Sequence, residues 1–207
     1  MRLKEIYRKN WFFIIIYALL VVAAFMLKIN FYDRMMVIDG NIVNFVQSYL
    51  ITDFNTTLMK ILSILGSYYV IPVLCLILFL IIKDKRVPIS IILIMIFTVL
   101  FNLIMKFAIK RPRPVSMLVE ESFYSFPSGH AMCSVVFYGL ILYLIGRKND
   151  DYIINIVMSF IVIMLILGIC FSRIYLNVHY FSDVVFGIIY GIVTLILSMR
   201  ILDNYDI

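Results

Sequence analysis

The sequence predicts an all-α membrane protein, a bundle of six transmembrane helices with an amphipathic helix on its outer surface. Three observations predict it. Of the 207 residues, 64% are hydrophobic and the mean hydropathy is +1.07, whereas a soluble domain is roughly half apolar. The apolar residues gather into six runs, each long enough at about twenty residues to cross a hydrocarbon core about 30 Å thick. The charged residues fall between the runs, in short segments. So much apolar surface must face lipid, and in lipid a helix satisfies its own backbone polar groups.

The first run spans 11–27, behind Arg2, Lys4, Arg8 and Lys9. It exceeds the h-region of a signal peptide, and no small-x-small cleavage site follows, so it predicts a retained signal anchor. Residues 28–56 form the longest intervening segment. From Asp39 onward, Ile42, Phe45, Val46, Tyr49 and Leu50 recur at helical spacing among Asn41, Asn44, Gln47 and Ser48. That pattern predicts an amphipathic helix, lying on the outer membrane surface or packed on the bundle. The remaining runs are 58–82, 87–107, 129–146, 153–172 and 181–202, in a single membrane-embedded domain, 1–207. No repeat, low-complexity stretch or soluble domain interrupts them.

Lys and Arg set the orientation. With the N-terminus inside, the cytoplasmic segments hold Lys83, Lys85, Arg86, Arg147, Lys148 and Arg200 besides the N-terminal four. The outer segments hold Lys28, Arg34 and Arg173, and a cluster from Lys106 to Arg113. The bias puts both termini in the cytoplasm. The net charge of +6 is therefore a topology signal, not a nucleic-acid signal. The outer basic cluster opposes the bias and asks for another cause, such as an anionic ligand. Cys75, Cys133 and Cys170 lie inside apolar runs without metal spacing, and read as small buried or lipid-facing residues.

Three segments put polar groups at the ends of spans. In the first, Lys106 ends the third span, and Pro112 and Pro114 break the helix, so the chain turns and Arg113 can swing back toward Lys106. Arginine offers a planar fork for phosphate and lysine a compact charge. In the second, Pro127-Ser128-Gly129-His130 opens the fourth span, with Ser128 as N-cap. Unpaired N–H groups and the positive end of the helix dipole suit an anion there, and Gly129 permits close approach. In the third, Ser172 to Asp183 joins the fifth and sixth spans. If the sixth helix starts near Asn177, His179 and Asp183 stand at i and i+4 on one face. The carboxylate would then fix one imidazole nitrogen and free the other to attack.

Each segment alone has a plainer reading: a basic surface anchor, an ordinary capped helix, a structural His–Asp contact. Together they lie on one side of a topology derived without them and hold the sequence's only two histidines. Three cations, two histidines, a carboxylate and a helix N-terminus describe a phosphate-transfer site with an acid and a nucleophile. The residues leave open which histidine attacks, although the Asp183 partner favours His179.

The motifs resemble those of the membrane type 2 phosphatidic acid phosphatases, a superfamily shared with vanadium haloperoxidases and bacterial acid phosphatases. Lys106, Arg113 and Pro114 fill the first motif, Pro127 to His130 the second, and Ser172, Arg173, His179 and Asp183 the third. The six-span layout agrees as well. The resemblance implies that His179 attacks phosphorus, Asp183 orients it and His130 protonates the leaving oxygen. It implies that Lys106, Arg113 and Arg173 hold the phosphoryl oxygens, aided by Ser128 and the Gly129 backbone. The expected substrate is a lipid phosphate or diphosphate: undecaprenyl diphosphate, phosphatidylglycerol phosphate or phosphatidic acid. No metal or other cofactor is expected, because metal-dependent phosphatases cluster several carboxylates. Glu120 and Glu121 read as solvated loop charges that tune head-group choice. The rival reading is a lipid or anion transporter without hydrolytic activity, but such a site would sit nearer mid-membrane.

Overall fold

The computed structural model describes residues 3–30 and 32–204. Eight helices follow in order: α1 (Leu3–Asn30), α2 (Tyr32–Tyr49), α3 (Asp53–Leu65), α4 (Val70–Ile81), α5 (Arg86–Ile109), α6 (Gly129–Lys148), α7 (Tyr152–Tyr175) and α8 (Phe181–Asn204). There is no strand among the described residues.

Helices α5, α6, α7 and α8 are each long and apolar enough to cross a membrane. The α3–α4 pair, bent by 48°, makes a fifth candidate if it is one span. Within α1, Ile15–Met26 is a shorter apolar stretch. The protein is thus a multi-pass membrane protein. Side chains such as Leu93, Ile104 and Phe160, each more than 60% exposed, are the surface that lipid covers.

The 58–82 run, read as one span, is broken at Gly66–Tyr69. Thr52 starts α3 by accepting the Asn55 N–H, and the Ser67 hydroxyl accepts the Val70 N–H where α4 begins, 3.1 Å away. A Cβ on Gly66 would run into Ile169 and Ser134, so the break lies tight against α6 and α7.

α6 is the centre of the bundle. Its apolar window is 61% buried inside the protein, against 17% for α7. Gly187 and Gly191, spaced one turn apart on α8, let that helix approach α6 closely: a Cβ on either would meet the Ser128 carbonyl, Ala131 or Val135. Small residues at such spacing bring membrane helices together. The core around α6 includes Ile91, Met95, Cys133, Val136, Leu140 and Ile169.

α2 begins seven residues earlier than the apolar pattern from Asp39 predicts. Its buried face is Asp39 and Val46, with Ile42 and Leu50 packed in the same cluster as Tyr175, Leu176 and Val184. Phe45 and Tyr49 point away, and their rings pack on each other with centroids 5.4 Å apart. The helix is therefore packed on the bundle through one face.

Candidate active site

The three polar segments meet at one end of the bundle, where α5 and α7 finish and α6 and α8 start. Consecutive antiparallel helices bring these ends together. The loop after α5 is pinned at each step. Lys110 takes a left-handed conformation, φ 53°, and its N–H closes the helix on the Lys106 carbonyl. The Ser125 N–H returns to the Arg111 carbonyl at 2.9 Å, and its hydroxyl donates to the Pro112 carbonyl at 3.0 Å. The Leu118 N–H donates to the Leu176 carbonyl, and the Asn177 amide to the Val115 carbonyl at 2.6 Å. The second segment is tied to α5 by the Asn102 amide, which donates to the Pro127 carbonyl at 3.1 Å. It is tied to α8 by the Ser128 N–H, which donates to the Asp183 carbonyl at 2.9 Å.

A cavity of about 730 Å³ opens among these ends. Lys106, Arg113, Gly129, His130, Arg173 and His179 all line it, together with Tyr68 and Glu121. Ser128 and Asp183 do not line it; both are fully buried behind the wall. Lys106 Nζ donates to the Tyr124 carbonyl at 2.5 Å. Arg113 is held by the carbonyls of Ser122 and Val178, 2.8 and 2.7 Å away. Arg173, 1% exposed, donates to the Ser63 hydroxyl and the Glu121 carboxylate. A Cβ on Gly129 would overlap the Tyr68 hydroxyl, so only glycine admits Tyr68 to the mouth of α6.

Three expectations need correcting. α8 starts at Phe181, not near Asn177, so His179 precedes the helix and only Asp183 lies in its first turn. Asn177, with φ 54°, turns the chain, and the Val178 and His179 N–H groups both return to the Arg173 carbonyl. That turn still brings His179 Nδ1 to 3.5 Å from Asp183 Oδ2. Ser128 occupies the N-cap position, but its hydroxyl makes no capping bond. Its N–H, donated to the Asp183 carbonyl, is engaged, and its Oγ is not. Glu120 is an exposed loop charge as expected, but Glu121 is not: it is ion-paired with Arg173 and lies 3.6 Å from Arg113. The loop folds inward, and two buried guanidinium groups draw a carboxylate in.

Arg113 Nη1 stands 3.3 Å from His179 Nε2. Because arginine only donates, Nε2 accepts, and the ring proton is then on Nδ1, facing Asp183. Burial pushes the His179 pKa well below its ordinary 6.5, and the charges of Lys106, Arg173 and Arg113 push the same way. A lowered imidazole pKa means a neutral ring at physiological pH. By linkage, the fold loses stability as pH falls below about 6.5, where the unfolded chain binds a proton that the folded ring refuses. With two histidines in the sequence, NMR of labelled imidazole should find His179 in the ligand-free protein still neutral at pH 6. A ring that takes its proton at or above pH 6.5 contradicts this.

Residues outside the three motifs complete the site. Arg111 is buried between Asp39 of α2 and Asp183, at 2.6 and 2.7 Å. In sequence, Arg111 is merely part of a basic cluster, and Asp39 the start of an apolar pattern. The Tyr68 ring meets the His130 ring edge-on, 5.7 Å between centroids. Among the described residues, no group of three or more His, Cys, Asp or Glu is placed to hold a metal ion.

A multi-pass helical bundle with three cations and two imidazoles around a cavity at one end defines a class, helical membrane proteins with a basic, histidine-bearing cavity at the end of the bundle. The chain belongs to the PAP2 superfamily, whose family model matches residues 87–206. The fold is similar to that of the transmembrane PAP2-type phosphatidylglycerolphosphate phosphatase of Bacillus subtilis. The TM-score is 0.79 at 24% identity, over 96% of this chain and 97% of that one. It is also similar to LpxE of Aquifex aeolicus, with TM-score 0.60 and 21% identity over 82% of this chain and 94% of that one. In sequence, the chain is 38% identical to phosphatidylglycerophosphatase B of Bacillus subtilis over 97 residues, 45% of this chain and 47% of that protein. It is 28% identical to dolichyldiphosphatase of Saccharomyces cerevisiae over 168 residues, 75% of this chain and 69% of that protein. The chain thus spans about half the length of the first relative and somewhat over two thirds of the second.

Proposed function

We propose that this protein is a metal-independent lipid phosphatase that hydrolyses the terminal phosphate of a membrane lipid phosphate or diphosphate through a phosphohistidine. The observation that carries the reading is the cavity itself. Lys106, Arg113 and Arg173 line it beside both histidines, and an apolar groove of about 540 Å³ adjoins it. The groove lies between α4, α5 and α6, and shares Ser67, Tyr68 and Val99 with the cavity. A charged head group and a hydrocarbon chain would be received side by side. The names of the two curated relatives, a phosphatidylglycerophosphatase and a dolichyldiphosphatase, are in line with such a substrate. Undecaprenyl diphosphate, phosphatidylglycerol phosphate and phosphatidic acid all present that combination.

In this reading Nε2 of His179 attacks phosphorus while the bond to the lipid oxygen breaks. His130 gives a proton to the departing oxygen. The three cations take up the charge that develops on the phosphoryl oxygens. Water then attacks the phosphohistidine, His130 takes back a proton, and inorganic phosphate leaves. The test is phosphate release by the purified protein in detergent against these three lipids. Release from none of them refutes the reading. Activity should survive excess EDTA, since protein cations do the work of a metal, and vanadate should inhibit as a mimic of five-coordinate phosphorus. Loss with EDTA and rescue by magnesium would point to a different mechanism.

The single domain covers 1–207, with α1 as a sixth span, both termini in the cytoplasm and the cavity on the outer face. Val115, 86% exposed in the segment between α5 and α6, is the place to test this. The native cysteines are buried and give little background. A cysteine at position 115 should react with an impermeant thiol reagent from outside intact cells. Labelling only after lysis inverts the topology. Asn177 is unsuited to the same test, being 3% exposed. The transporter alternative is weakened by the site's position at the bundle's end rather than its middle.

A further inference from the structure

We propose that Asp39, on α2, is a positioning residue for the nucleophile, acting through Arg111 and Asp183. The inference rests on the hydrolase reading above and deepens it.

The geometry is a buried chain of charges. The Arg111 guanidinium donates through Nη2 to Asp39 and through Nη1 to Asp183, at 2.6 and 2.7 Å, and all three side chains are at most 3% exposed. Nη1 also donates to the Ser182 hydroxyl at 2.7 Å. The Tyr180 ring covers the guanidinium at 4.2 Å. Asp39 reaches further: its Oδ1 accepts the Ser182 N–H at 2.9 Å and its Oδ2 the Ser182 hydroxyl at 2.6 Å. It thus caps the start of α8 from another helix, one residue before Asp183. The other Asp183 oxygen, Oδ2, accepts the Tyr180 N–H and faces His179 Nδ1.

The charges explain why a second carboxylate is needed. Asp183 must favour a ring that gains positive character as Nε2 attacks phosphorus. Arg111 orients Asp183 but cancels its charge, so the pair alone would do little for the ring. Asp39 returns one unit of negative charge to the group. That surplus sits one guanidinium away from Asp183, among side chains at most 3% exposed, where low dielectric makes it count toward the ring. Asp39 also lies outside all three motifs and outside the family-matched residues 87–206.

The test uses the full chain in detergent, with an activated aryl phosphate as substrate and inorganic phosphate as inhibitor. D39N should lower kcat about 10- to 100-fold, a loss of the size seen when the outer partner that orients a metal-bound imidazole is removed. Its inhibition constant for inorganic phosphate should stay the same or tighten, because the cations are untouched and a repelling charge is gone. D39E should recover much of the rate. R111Q leaves two carboxylates facing each other without a cation, and one must take up a proton. The double variant D39N R111Q removes that conflict, so it should be faster than R111Q alone. A D39N kcat within twofold of the unaltered chain overturns the inference. So does a loss of phosphate binding equal to the loss of rate, or a double variant slower than R111Q. Absence of turnover in the unaltered chain would sink the hydrolase reading, and this inference with it.

Discussion

His179→Ala should abolish turnover of a lipid phosphate and of an activated aryl phosphate alike, by several powers of ten. The size follows from the role. A nucleophile that forms a covalent intermediate has no stand-in: its removal takes away the first bond-making step for every substrate, however good the leaving group. The geometry singles out Nε2, which faces the cavity cations while Nδ1 faces Asp183. The depressed pKa keeps the lone pair available at neutral pH. The check is direct. Rapid quench of the unaltered protein with labelled substrate should trap an acid-labile phosphoenzyme, and His179→Ala should trap none. Retained binding of inorganic phosphate shows the variant folded. Near-normal turnover in a folded variant rejects His179 as the nucleophile.

Much of this was legible in the sequence because the physics is local. Helices in lipid announce themselves by length and hydropathy, so the runs at 87–107, 129–146, 153–172 and 181–202 correspond to α5 through α8 with shifts of a few residues at each end. Prolines at 112 and 114 and a Pro-Ser-Gly-His start mark helix ends that any reading must respect. The grouping of Lys106, Arg113, Gly129, His130, Arg173 and His179 around one cavity follows from four antiparallel helices whose ends alternate. The break within 58–82 was less legible, because a Gly-Ser pair inside an apolar run does not by itself end a helix, and the close packing of Gly66 on α6 and α7 is a tertiary contact.

What the sequence hid is long-range. Asp39 and Arg111 are 72 residues apart, and no local pattern pairs them; a charge on an amphipathic helix reads as solvated until a partner arrives. The inward position of Glu121 is hidden for the same reason. A loop carboxylate next to another in sequence looks exposed, and only the burial of Arg173 and Arg113 beneath the loop draws it inward. The 181–202 run matches the start of α8, but the reading of His179 and Asp183 as i and i+4 on one helix fails, because Asn177 takes a left-handed turn that the His-x-x-x-Asp spacing does not betray.

His130→Ala should separate the two histidines. His179 must be neutral to attack and His130 protonated to donate, so the rate should depend on pH as a bell. The sharper test is the leaving group. A lipid alkoxide is a poor leaving group and cannot depart without a proton, so loss of the acid should cost about 100- to 10,000-fold on a lipid phosphate. An activated aryl oxide departs with little help, so the same variant should still form much of its phosphoenzyme from an aryl phosphate. The position of His130 fits the role: it sits in the first turn of α6, lines the cavity and has the Tyr68 ring against its edge. Water attack on the phosphohistidine also draws on His130 as base, so the aryl substrate should show a burst followed by slow turnover. The comparison is therefore between the burst rate on the aryl ester and steady-state release from the lipid, each relative to the unaltered protein. If His130 only bound phosphate, both would fall by the same factor, because both substrates present the same phosphoryl oxygens to the clamp. Equal losses in a folded His130→Ala protein would reassign it from acid to binding residue.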